Sequence, residues 1–187
     1  MRYQQFLQQE QFDLAQLIAF SYGRLVSDPP ADFDARLPAP PFLMIDRIVS
    51  LEASGNKGVI TAEQDIRLDA WYFQCHFPDD PVQPGCLGVD AVWQLLGFYG
   101  VWRGALGAGR ALGCEEVVFN GQIRPYNEVV RFEIEVLRFR EMKSNGSAIV
   151  MANAQILADS TPVATVKKAR AGIFKNIADS NYPRIEE

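Results

Sequence analysis

The chain has 187 residues, 48% hydrophobic and 22% charged, which suits one compact domain with or without a terminal appendage. Its net charge of −5 argues against nucleic acid as the main partner, because phosphate binding needs a basic face. Three cysteines, an odd number, occur with a single histidine and no Cys-x-x-Cys pair, so no metal site and no cofactor are expected, and reduced thiols in a cytoplasmic protein fit best.

The first ten residues lack a basic start followed by an apolar run, so no secretory signal is visible. Phe6, Phe12, Leu14, Leu17, Ile18 and Leu25 recur at roughly helical spacing and predict a helix over 4–26. The prolines of Ser27–Pro41 impose an extended chain. Phe42–Glu52 reads as a strand, Gly55–Gly58 as a turn and Val59–Ile66 as the returning strand. Asp69–Phe73 reads as a short helical turn.

Leu87–Leu106 is the clearest helix. Leu87, Ala91, Leu95, Phe98, Val101 and Trp102 form a stripe that Val92, Leu96 and Tyr99 widen almost all round, the pattern of a buried helix. The longest apolar stretch, Val89–Val101, is broken by Asp90, Gln94 and Gly97 and is too short and polar to span a membrane. Strands follow near 112–120, 127–140, 146–158 and 162–174, with Leu137 marking a bulge or the strand end and Lys143–Gly146 a hairpin turn. Ala148, Val150, Ala152, Ala154 and Ile156 share one face, small enough for close helix packing. One buried helix between early strands and a run of antiparallel strands makes an α+β layer in which the sheet wraps the helix, a hotdog fold. The expected organisation is an N-terminal helix and loop (1–36), a hotdog domain (37–175) and a loose tail (176–187).

The densest signal is Cys75-His76-Phe77-Pro78-Asp79-Asp80-Pro81-Val82-Gln83-Pro84-Gly85-Cys86-Leu87-Gly88-Val89-Asp90. It sets the chain's sole imidazole before a proline-stiffened turn and a carboxylate just inside an apolar helix, a candidate base and a candidate acid. On spacing alone, a satisfied core histidine is an equal reading of His76, and a helix-dipole charge is the bland reading of Asp90. Gln94, four residues after Asp90, lies on the same helix face and can bond its carboxyl, with an ordinary polar helix residue as the equal alternative.

Gln74–Gly100 closely resembles the active-site segment of bacterial FabA-type 3-hydroxydecanoyl-acyl-carrier-protein dehydratases. The likeness extends through Leu37-Pro38-Ala39-Pro40, Met44-Ile45-Asp46-Arg47, Arg110-Ala111-Leu112-Gly113, Gly121-Gln122-Ile123-Arg124-Pro125 and Gly172-Ile173-Phe174, in the family's order. Asp90 stands where the related FabZ branch has Glu. Two departures bear on chain length and isomerisation. Gln83 stands where the family commonly has Met, and Pro78-Asp79-Asp80 leans toward the FabZ pattern.

The resemblance implies a homodimer with sites at the subunit interface and no metal. It implies dehydration of 3-hydroxyacyl thioesters on acyl carrier protein, in fatty-acid biosynthesis, with or without trans-2 to cis-3 isomerisation. That reaction needs a base for the α-proton, an acid for the departing hydroxyl and a donor for the thioester oxygen. His76, Asp90 and the Gly85 N–H, at a helix N-terminus, suit these roles. Val82 and Gln94 would support the site. Phe73, Phe77 and Trp93 are candidate tunnel residues, with core or dimer packing as the alternative, and Cys75 and Cys86 read as small buried residues. A basic edge for the acidic carrier protein is sought in Arg138, Arg140, Lys143, Lys167, Lys168 and Arg170. The rival readings are an enoyl-thioester hydratase, a thioesterase and a non-catalytic acyl-binding module. Neither nucleic acid nor membrane is an expected partner.

Overall fold

The computed structural model describes residues 1–142, 147–175 and 177; the expected hairpin turn at 143–146, with Lys143, and most of the expected tail lie outside them. The chain opens with two short helices, α1 (Tyr3–Phe6) and α2 (Leu14–Ser21), where one helix over 4–26 was expected. Asp13 explains the break. Its backbone is extended, and its carboxylate caps α2 by accepting the Gln16 N–H at 2.8 Å. Phe12 exchanges both backbone hydrogen bonds with Ile48, at 3.0 and 2.8 Å. Helical spacing of apolar residues cannot tell one helix from two that feed the same core.

The strands are β1 (Arg47–Ser54), β2 (Lys57–Asp65), β3 (Ala108–Gly113), β4 (Glu116–Phe119), β5 (Val129–Met142), β6 (Ser147–Ala158) and β7 (Thr161–Phe174). Among the described residues they form one antiparallel sheet in the order β1-β2-β5-β6-β7-β3, with β4 also on β7. A 3₁₀ turn (Trp71–Gln74) and the long helix α3 (Gly85–Trp102) lie between β2 and β3. The register slips between Val136 and Arg138 and pairing continues beyond, so of the two readings of Leu137 the structure has the bulge and not the strand end. The single strand expected over 112–120 is two. β3 pairs with the upper part of β7 and β4 with the lower, separated by a register shift near Gly113, whose φ is 133°.

Two other boundaries move for reasons that matter to function. The strand expected from Phe42 starts only at Arg47, because the backbone of 42–44 bonds to a helix side chain instead of a neighbouring strand. Helix α3 ends at Trp102, short of Leu106, where Gly104 turns the chain at φ 98°.

Helix α3 packs on β2, β3, β5, β6 and β7, which is the hotdog arrangement. The approach is close. A Cβ at Gly100 would run into the Cδ1 of Ile173, and Ala148, Val150, Ala152, Ala154 and Ile156 are all buried on the helix-facing side of β6. The N-terminal segment covers another side of α3. Phe98 meets Phe6, Phe12 and Phe20 at ring-centroid distances of 5.7, 4.9 and 4.9 Å. Phe98→Ala should therefore cost about 3–5 kcal/mol. The check is a lowered urea midpoint with an unchanged slope.

Candidate active site

His76 follows the 3₁₀ turn, and its loop is tied down at both ends. Its N–H donates to Tyr72 O at 2.8 Å, and its carbonyl accepts from Val82 N–H at 2.8 Å. Phe77 and Asp80 exchange backbone hydrogen bonds at 3.1 Å, closing a tight loop. Asp80 pairs with Arg124, whose guanidinium also donates to Pro81 O at 3.1 Å. The His76 ring stacks on Phe77 at 4.0 Å, and its Nδ1 lies 2.9 Å from Val82 O. A carbonyl only accepts, so Nδ1 carries a proton, and in the neutral ring the lone pair is on Nε2. That is the tautomer a base needs.

Asp90 sits on α3, half-buried. Gln94, one turn on and nearly fully buried, donates from Nε2 to Asp90 Oδ2 at 2.8 Å and to Phe42 O at 2.9 Å. Its Oε1 accepts from Met44 N–H at 3.1 Å. The amide thus fixes one carboxylate oxygen and stitches α3 to the proline-rich strap before β1.

The two candidate groups line different cavities of the chain. One, of about 450 Å³, is lined by His76, Phe77, Val82, Gln83, Gly85, Cys86, Phe119 and Ile123, with Ile156, Val163 and Ala164 among its apolar walls. The other, of about 170 Å³, holds Asp90, Trp93, Gln94, Gly97, Phe98 and Arg110. Gly85 is the first residue of α3, where an N–H has no partner within the helix. A side chain there would strike the Phe119 ring, so only glycine leaves the helix end open.

The family model for the FabA-like domain matches residues 37–167, well over half of the chain. The chain belongs to the FabA-like family. Its fold is also that of a chain of the dehydratase heterocomplex ApeI:P from Xenorhabdus doucetiae, at 14% identity and a TM-score of 0.53, over 74% of this chain and 86% of that one. A MaoC-like dehydratase from Rhodospirillum rubrum matches at 19% identity and a TM-score of 0.43, over 66% of this chain and 94% of that one.

Not every expected residue of this FabA-like chain reaches a cavity. Phe77 lines the His76 cavity and Trp93 the Asp90 cavity, where the indole N–H donates to Arg170 O at 2.9 Å. Phe73 lines neither; it is buried against Tyr72, with ring centroids 4.6 Å apart. Cys75 and Cys86 are exposed, not buried, because one ends the 3₁₀ turn and the other lies in the first, outward turn of α3. Arg138, Arg140 and Arg170 are exposed on the sheet, and Arg138 and Arg170 share one cross-strand row through Met151. Lys168 is held in an ion pair with Glu115 at 3.0 Å, and Lys167 in one with Glu116 at 2.5 Å.

Spacing gave no hint of the Arg124 clamp on the His76 loop, although the Gly121–Pro125 motif contains it. Nor did it reveal the buried chain Gln83–Gln64–Tyr72 beneath that loop. Burial, with the Asp46 charge adding to it, pushes the Tyr72 phenol up to about 12, so it stays protonated in that chain. With one histidine in the sequence, ¹⁵N imidazole spectra are unambiguous. The neutral ring of His76 should show the proton on Nδ1; a spectrum with the proton on Nε2 would remove the free lone pair the site geometry provides.

Proposed function

We propose that the protein dehydrates 3-hydroxyacyl thioesters carried on acyl carrier protein to trans-2-enoyl thioesters. The observation that carries this reading is the imidazole of His76, which holds its Nδ1–H on Val82 O and lines a largely apolar cavity. Family membership supplies the reaction class, and the residues supply the roles. Nε2 takes a proton from C2. Charge develops on the thioester oxygen and is met by the Gly85 N–H at the positive end of α3. Asp90, held by Gln94, gives a proton to the C3 hydroxyl, which leaves as water while the double bond forms. The same base can move the double bond by taking a proton from C4 while C2 is protonated. Scoring trans-2 and cis-3 products separately decides whether that second step occurs.

The working form in this reading is a homodimer whose sites pair His76 of one protomer with Asp90 of its partner. It is favoured by the separation of the two groups into different cavities of one chain. Exposed Leu112, Val118 and Phe119, on the β3–β4 edge, and Phe77 beside His76 provide apolar surface for a second copy. Arg138, Arg140 and Arg170 are the proposed docking surface for the acidic carrier protein; Lys168, committed to Glu115, is a weaker member. Three cysteines without a disulfide fit a reducing, cytoplasmic setting.

His76→Asn and Asp90→Asn should each lower kcat/KM by about a hundred-fold or more while the fold is kept, since proton transfer contributes on that scale. Mixing the two dead variants under subunit exchange should restore activity through one intact site per heterodimer. Heterodimers that form and stay inactive would mean that both groups act within one chain. Replacing Arg138, Arg140 and Arg170 by Ala together should raise KM for carrier-bound substrate and leave turnover of the matching pantetheine thioester unchanged. Equal losses on both substrates would place the docking surface elsewhere.

A further inference from the structure

Gln83 is 2% exposed and Gln64 is 6% exposed. Gln83 Nε2 donates to Gln64 Oε1 at 3.2 Å, and Gln64 Nε2 donates to the Tyr72 hydroxyl at 3.3 Å. The backbone N–H of Gln83 is used as well, donating to Ile123 O at 2.9 Å. What remains is Gln83 Oε1, a buried acceptor without a partner among the described residues. The same side chain lines the cavity of His76.

A methionine has nearly the length and volume of glutamine and would fill this place without a polar atom. Glutamine instead gives up its water on folding and is repaid at only one end of the amide. Reversing both amides, with the Tyr72 hydroxyl as donor, does not remove the deficit. It exchanges a free acceptor for a free donor at the same point. A hydroxyl group answers either case, because it both donates and accepts. In the mechanism above the thioester oxygen and the 3-hydroxyl are engaged by Gly85 and Asp90, so the hydroxyl that meets Gln83 is a different one. Ile123, Ile156, Val163 and Ala164 keep the rest of the wall apolar, which calls for a chain that is otherwise hydrocarbon.

We propose that Gln83 is a specificity-determining residue that selects acyl chains bearing an additional hydroxyl beyond C3, an assignment that rests on the acyl-thioester reading of the His76 cavity. The unpaired amide end holds that hydroxyl. The Gln64–Tyr72 chain holds the amide.

The test uses S-alkyl pantetheine thioethers, which cannot be turned over, matched in length and either plain or hydroxylated at successive carbons beyond C3. Calorimetry on the intact protein should show one hydroxylated position binding about ten-fold or more tightly than the plain chain, the scale expected when a polar site meets its partner. Gln83→Met should abolish that preference. Gln83→Leu provides a second apolar variant. Equal affinity for plain and hydroxylated chains at every position overturns the proposal, as does a preference that survives both substitutions; an internal water then satisfies the amide. Dehydration of the corresponding 3-hydroxyacyl thioesters is assayed separately. If none is dehydrated while the hydroxyl preference stands and is lost in Gln83→Met, the dehydratase reading fails and the role of Gln83 in ligand selection holds.

Discussion

Helix α3 has to be buried on nearly every side, and the rest of the molecule is arranged to bury it. Its apolar residues exceed the single stripe that an ordinary surface helix presents. Strands on one side and the aromatic cluster of Phe6, Phe12 and Phe20 on another meet that demand. The residues left less covered are Gly85, Cys86, Val89, Asp90, Trp93 and Gly97, which recur at helical spacing along one line. The candidate acid therefore lies on the one stripe that the chain does not fully cover. A second copy laid on that stripe would complete the burial and the proposed site together.

The two halves of the proposed chemistry are held by different means. Asp90 is rigid because its helix is rigid and because Gln94 ties it to the strap at Phe42 and Met44. His76 sits in a loop, where position has to come from hydrogen bonds. Tyr72 O, Val82 O, the Phe77–Asp80 pair and the Arg124 clamp supply them. A loop restrained in this way keeps the imidazole in one tautomer without spending the lone pair of Nε2.

The buried glutamine amides of the described residues are satisfied at both ends with one exception. Gln94 satisfies both ends of its amide with protein partners, as a buried amide should. Gln83 satisfies one end. The contrast between two buried glutamines a short distance apart in sequence is the observation on which the proposed role of Gln83 in ligand selection rests.

Much was legible in the residues alone: the buried helix, the alternating faces of β5 and β6, the break in alternation at Leu137 and the residues of the His76–Asp90 segment. These are local properties, carried by periodicities of 3.6 and 2 and by the φ restrictions of proline and glycine. The resemblance carried by residues 37–174 pointed to the family that the domain match then showed. Tertiary structure decided what depends on distant partners. It split the N-terminal helix at Asp13, because Phe12 pairs with Ile48. It delayed β1 to Arg47, because a side chain from α3 takes the backbone bonds of 42–44. It turned Cys75 and Cys86 outward, withdrew Phe73 into the core and put Lys168 into an ion pair. It also set His76 and Asp90 in separate cavities, although both belong to one continuous segment of the chain. Separation along a sequence limits how far apart two side chains can be, but the direction each one faces is fixed by what packs against it.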